Sequence, residues 1–268
     1  MNLREAMKTL LPHDDRLLSE FERRILMETI FIIALFVVAY LYASVGHGGA
    51  SGYLALMAFY SVAPDVMKSS ALILNLFVSF TAFYFFYKGG FLRWKLLLPF
   101  ILTSVPLSFL GAGIKISAEI YKEILAVCLL LATVRMLIPQ KNEETPPAAL
   151  NIPVALFSGG AIGLISGMIG IGGGIILSPL LLLTRWATIK ESASVSSAFI
   201  FLNSASGLFG LYRSSPIHLD DHIFIWIVVA IAGGLLGSFM GSYKIPPKWL
   251  RYILCTVLML ASFKLIFH

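Results

Sequence analysis

Two stretches decide how this chain is read: Gly46-His47-Gly48-Gly49-Ala50-Ser51-Gly52 and Gly170-Ile171-Gly172-Gly173-Gly174. Each interrupts an otherwise apolar run. Glycine has no Cβ, so the backbone can turn there and bring its N–H groups close to another segment or a ligand. Irregular backbone at membrane depth is tolerated only where protein or a watery cavity satisfies its polar groups. Two such breaks in corresponding halves of a chain point to a transporter's binding site.

The surrounding composition supports a membrane setting. The chain of 268 residues is 58% hydrophobic and 13% charged, with a mean hydropathy of +0.88. Soluble domains carry about 25% charged residues. The formal net charge of +6 lies mainly in the N-terminal segment and short loops. There it speaks for membrane orientation and anionic lipids, not for nucleic acid. Cys128 and Cys255 sit in apolar runs without CxxC spacing or a histidine partner, which reads as buried core cysteine. Residues 1–27 do not read as a cleavable signal peptide. They mix Leu10, Leu11, Leu17, Leu18 and Phe21 with charges and suit an interfacial helix or a disordered segment.

A transmembrane helix needs about 20 apolar residues. The expected architecture is an all-α polytopic membrane protein of two homologous repeats. Each repeat has about four transmembrane helices and one Gly-rich broken or re-entrant short helix. The expected divisions are an N-terminal cytoplasmic segment 1–28, a first repeat 29–138, a polar linker 139–151 and a second repeat 152–268. Long spans are expected at 29–45, 69–87, 96–114, 121–138, 152–168, 194–212, 222–241 and 249–267. Short apolar pieces are expected at 50–60 and 175–183. At 1.5 Å per residue each short piece reaches only roughly half of the ~30 Å hydrocarbon core.

The repeat is visible residue by residue. Gly46, Gly48 and Gly49 align with Gly170, Gly172 and Gly173. Lys68, Ser70 and Ala71 align with Lys190, Ser192 and Ala193, and Arg135 aligns with Lys264. The relative direction of the repeats stays open at this level. Counting Lys and Arg favours short pieces that return to their own side, which makes the repeats parallel. The basic loop 88–95 answers to a loop holding Asp220 and Asp221, and opposite charge at equivalent loops is what inverted repeats show.

A helix that starts after a glycine turn presents free N–H groups and the positive end of its dipole. That terminus attracts anions without a buried Lys or Arg. The expected substrate-binding set is therefore Gly46, His47, Gly48, Gly49, Ser51, Gly170, Gly172, Gly173 and Gly174. Asn75, Ser196, Ser197 and Asn203, from the polar spans that follow, complete it. His47 is the proton-coupling candidate, since a histidine at a backbone break can titrate near neutrality or donate one fixed hydrogen bond. Gly159, Gly163 and Gly167, like Gly233, Gly237 and Gly241, recur every four residues and read as helix-packing faces. No phosphate-binding loop, HExxH or GxSxG is found, so no enzyme, catalytic residue, cofactor or metal site is expected.

With these residues in hand, the chain resembles the sulfite exporter TauE/SafE family over about residues 29–267. The resemblance rests on both glycine turns, on Ser178-Pro179, on Lys-x-Ser-Ala at Lys68 and Lys190, and on the polar linker. It departs at Ala50 and Ala55, where the second copy has Gly174 and Pro179. The resemblance implies a secondary transporter in the cytoplasmic membrane that moves sulfite, a sulfonate, sulfoacetate or a similar oxyanion, in the export direction. The implied partners are the small anionic substrate and membrane lipids, with a homodimer left open. A passive anion channel and a non-transporting assembly factor are the alternatives.

Overall fold

The computed structural model describes residues 15–114, 148–214 and 216–244, with isolated positions beyond them. The expected spans 121–138 and 249–267 and residues 139–147 of the expected linker 139–151 lie outside the described residues, apart from isolated positions. Cys128, Cys255 and the Arg135–Lys264 match lie outside as well.

Eight helices make up the described residues: α1 (Asp15–Ser44), α2 (Ala50–Phe59), α3 (Pro64–Lys88), α4 (Trp94–Ala112), α5 (Ile152–Ile169), α6 (Gly174–Leu183), α7 (Ile189–Ser214) and α8 (Ile223–Tyr243). Six of them are long and apolar enough to cross a membrane, while α2 and α6 have only 10 residues each. From Asp15 onward, the described part of the N-terminal segment continues into the first span as one helix, α1. Pro64 opens α3, where a missing N–H costs nothing. Asn151 caps α5 by accepting the Val154 N–H at 3.2 Å.

The order long, short, long, long occurs twice. Glycine stripes set how the two sets interlock. An added Cβ at Gly233 would lie 2.6 Å from the Phe36 carbonyl oxygen, and Gly237 and Gly241 meet the backbone of Tyr40 and Ser44 in the same way. The helices α8 and α1 are therefore in backbone contact and run in the same direction. Gly159, Gly163 and Gly167 meet Phe100, Ser104 and Ser108, so α5 and α4 also run together. Each last described helix of one set thus packs on the first helix of the other.

The remaining contacts fix the directions. Ser206 Oγ donates to Val105 O, and Gly210 meets Phe109, so α7 runs with α4. Leu72 faces Gly207, Asn75 reaches Ser204 and Phe80 stacks near Phe201, so α3 and α7 run oppositely. Val78 faces Gly234 and Phe85 packs on Phe239, so α3 runs with α8. One direction belongs to α1, α3 and α8, the other to α4, α5 and α7. Among the described helices, α1 and α3 thus run opposite to α5 and α7, and α4 runs opposite to α8.

Each short helix returns beside the long helix before it. The Tyr60 ring, just past α2, meets Phe31 in α1 with centroids 5.1 Å apart. Ala148, just before α5, donates its N–H to Arg185 O just past α6 at 2.7 Å. The short helices complete the traverse back, which is why the two sets have opposite directions. One apolar core gathers around α1, α2 and α8, including Leu35, Tyr53, Leu54 and Trp226. The other gathers around α4, α6 and α7, including Phe100, Leu177, Trp186 and Phe199.

Candidate functional site

The two glycine breaks share left-handed turns at two equivalent positions and differ at a third, where Gly172 is left-handed and Gly48 is not. Gly46 and Gly49 have φ of 78° and 93°, and their counterparts Gly170 and Gly173 have 86° and 78°. A side chain is strained in this left-handed region. Gly49 and Gly173 are the residues immediately before α2 and α6, and neither helix has a side-chain cap from that position.

The breaks pass each other in the interior. Gly46 packs on Ala193 of α7, where an added Cβ would lie 2.5 Å away. Gly170 packs on Lys68 of α3, at 3.0 Å from its Cγ. Gly48 and Gly172 then both press against the same two side chains, Asn75 and Ile200. Gly174 also abuts Ile200.

Asn75 links the two breaks. Its Oδ1 accepts the Ala50 N–H of α2 at 3.2 Å. Its Nδ2 donates to Ser204 Oγ at 2.8 Å and to the Ile171 carbonyl at 3.5 Å. The N-terminus of α2 and the break that leads into α6 therefore meet at one buried amide, and the two helices run away from it toward opposite ends. Both dipoles place their positive ends at this crossing. Helix geometry leaves the N–H groups of Ser51 and Gly52, and of Gly174 and Ile175, without a partner four residues back.

His47 lies at the same crossing. Its Nδ1 is 3.1 Å from the Val45 carbonyl oxygen, across its own turn. The backbone of Gly174 in the other break lies against the same ring. Ser51 Oγ pairs with the Tyr42 hydroxyl at 2.9 Å, tying the start of α2 to the end of α1.

The side chains of the other expected residues turn to other partners. Asn203 turns toward α4, donating to Ser104 Oγ at 3.0 Å and to Phe199 O. Ser196 accepts from Ser178 Oγ in α6 at 2.7 Å, so it holds α7 against the second short helix. Ser197 donates to Ser194 O of its own helix. Ser204 sits at the crossing, although the sequence gives it no distinction from neighbouring serines.

Two features add to the polar inventory. Among the described residues, the buried Tyr53 Oη, Ser70, Ser166 and Ser194 Oγ, and Asn203 Oδ1 have no hydrogen-bond partner. Tyr53 lies against Gly49, and Ser166 lies against Gly173. The equivalent lysines also take equivalent places. Lys68 Nζ donates to Ala112 O at 3.0 Å, and Lys190 Nζ donates to Ser242 O at 3.3 Å. Each cation meets the carbonyl end of a helix, where the dipole favours it.

The chain is similar to known proteins. The family described as "Sulfite exporter TauE/SafE" matches residues 31–265. A "Probable membrane transporter protein" of Sinorhizobium fredii is 34% identical over 238 residues, covering 87% of this chain and 96% of that protein. A second "Probable membrane transporter protein", of Methanocaldococcus jannaschii, is 24% identical over 255 residues, covering 89% and 95%. No solved structure matches significantly. With its paired glycine breaks, six long apolar helices among the described residues and a match across most of its length, the chain belongs to the sulfite exporter TauE/SafE family of membrane transporters.

Proposed function

We propose that this transporter is a secondary carrier that exports a small oxyanion, such as sulfite, a sulfonate or sulfoacetate, across the cytoplasmic membrane. The observation that carries the reading is the meeting, at Asn75, of the α2 N-terminus with the glycine break that leads into α6. Two helix N-termini offer several N–H donors and two positive dipole ends to one ligand. Donors of this kind replace part of an anion's hydration shell without a fixed charge that would hinder release. The Tyr53 and Ser166 hydroxyls, each buried beside one break without a hydrogen-bond partner among the described residues, are further donors for the ligand.

The two oppositely directed sets of helices derive, in this reading, from one duplicated unit. Rocking of one set against the other about the crossing exposes the site to alternate sides. An anion leaves a cell with a negative interior downhill, so export needs no ATP site. His47 is the coupling residue. Its protonation adds positive charge at the crossing and strengthens anion binding.

Reconstituted flux tests the function. Proteoliposomes should take up labelled sulfite or a sulfonate saturably, and unlabelled anion on the far side should accelerate exchange. Linear, unaccelerated flux identifies a channel. Flux equal to that of protein-free vesicles for every small oxyanion refutes transport of this substrate class.

A further inference from the structure

A cavity of about 620 Å³ opens at the end of the bundle where α1 and α8 begin and the α2–α3 turn lies. Its floor is aromatic. Phe31 meets Trp226 at 4.8 Å and Tyr60 at 5.1 Å between centroids. Its lining carries both signs of charge, with Arg23, Arg24 and Glu28 from α1 and Asp220 and Asp221 before α8.

Part of that charge is already used. Arg24 Nε pairs with Glu28 at 3.3 Å. Asp220 Oδ1 accepts the His222 N–H at 2.9 Å. Arg23 and Asp221 are left as lining charges that no described side chain pairs. One cation and one carboxylate in a single cavity suit a ligand that carries both signs. A free oxyanion fits poorly, because the same mouth sets Glu28, Asp220 and Asp221 against it.

The cavity also continues into surface that lipid chains would cover. Met27 and Ile225 line it and are about half exposed, at 50% and 49%. Ile30 on α1 and Val228 on α8, about one turn further along, are exposed too. A charged mouth above an aromatic floor and an apolar flank matches the headgroup, glycerol and acyl chain of a phospholipid at the membrane interface.

We propose that this cavity binds a zwitterionic aminophospholipid of the phosphatidylethanolamine class. Arg23 meets the phosphate, Asp221 and the outer oxygen of Asp220 meet the ammonium, and Phe31 and Trp226 support the glycerol region. The three N–H donors of the ammonium make this headgroup distinct from choline, which has none. The site lies apart from the glycine crossing and does not depend on which anion is carried.

The full-length protein in detergent, titrated with defined lipids and read by native mass spectrometry, tests the assignment. Phosphatidylethanolamine should bind about tenfold more tightly than phosphatidylcholine with the same chains, the scale of a charge-assisted hydrogen bond. Asp221→Asn should erase that preference while leaving phosphatidylcholine binding intact. Arg23→Gln should weaken both lipids. Equal binding of the two lipids by the unaltered protein overturns the proposal, and this comparison needs no variant to fold. Tighter binding of phosphatidylglycerol overturns it as well. So does binding of soluble glycerophosphoethanolamine as tight as that of the lipid, since the pocket would then serve a free solute.

Discussion

Asn75 carries two tasks with one side chain. Its acceptor satisfies the first N–H of α2, and its donor holds Ser204 and the carbonyl of Ile171. Removing it leaves buried backbone and hydroxyl groups unpaired, at about 1–3 kcal/mol. Asn75→Ala should therefore lower the unfolding midpoint in detergent and abolish flux. Asn75→Asp keeps an acceptor for Ala50 but places negative charge at two helix N-termini. It should remain folded, as judged by size exclusion, and bind the anion at least about tenfold more weakly. For His47, protonation strengthens anion attraction, so flux should rise as pH falls, and His47→Gln should flatten that dependence in a pH series. An unchanged profile in that variant would leave the ring only its bond to the Val45 carbonyl. Asn75 was legible as an amide in an apolar span. Ser204 was not, because it lies in a run of serines between 192 and 206 that composition cannot rank. The adjacent Asn203 faces α4 instead, since neighbouring residues on a helix point about 100° apart.

Between elements, the glycine stripes decide which helices meet. Gly163 in α5 contacts the Ser104 backbone, and Gly237 in α8 contacts that of Tyr40. A side chain there must push two backbones apart. Gly163→Val or Gly237→Val should cost at least about 1–3 kcal/mol in thermal or denaturant unfolding. Gly207 is the contrast, since an added Cβ would have its nearest neighbour, Ser108 Oγ, at 3.3 Å. Gly207→Ala should change stability much less. The four-residue spacing of these glycines was enough to mark them as packing faces, because only small residues let helices approach so closely. Their partners were not legible. The pairing of α5 with α4 and of α8 with α1 depends on tertiary proximity across the two halves.

For the whole molecule, the decisive property is that the two sets of helices run in opposite directions. The sequence held one clue, the basic loop at 88–95 against the acidic pair Asp220 and Asp221. Counting charges pointed the other way, because the count depends on whether α2 and α6 cross or return, and their length alone does not say. Tyr60 beside Phe31 resolves it. The α3–α4 loop and the loop before α8 therefore lie at opposite ends. In a background without Cys128 and Cys255, a membrane-impermeant thiol reagent should label Gly90→Cys and Leu219→Cys from opposite faces. Labelling from one face would contradict the directions found here. The central claim is that both glycine breaks build one oxyanion site around Asn75. Thermal stability of the purified protein across a panel of sulfite, sulfonates, sulfate and small carboxylates tests it most directly, because a ligand of the native state raises stability with the logarithm of its concentration above Kd. The account predicts a rising midpoint with at least one sulfur oxyanion in the unaltered protein and none in Asn75→Asp. No shift with any anion, or the same shift in both proteins, would contradict it.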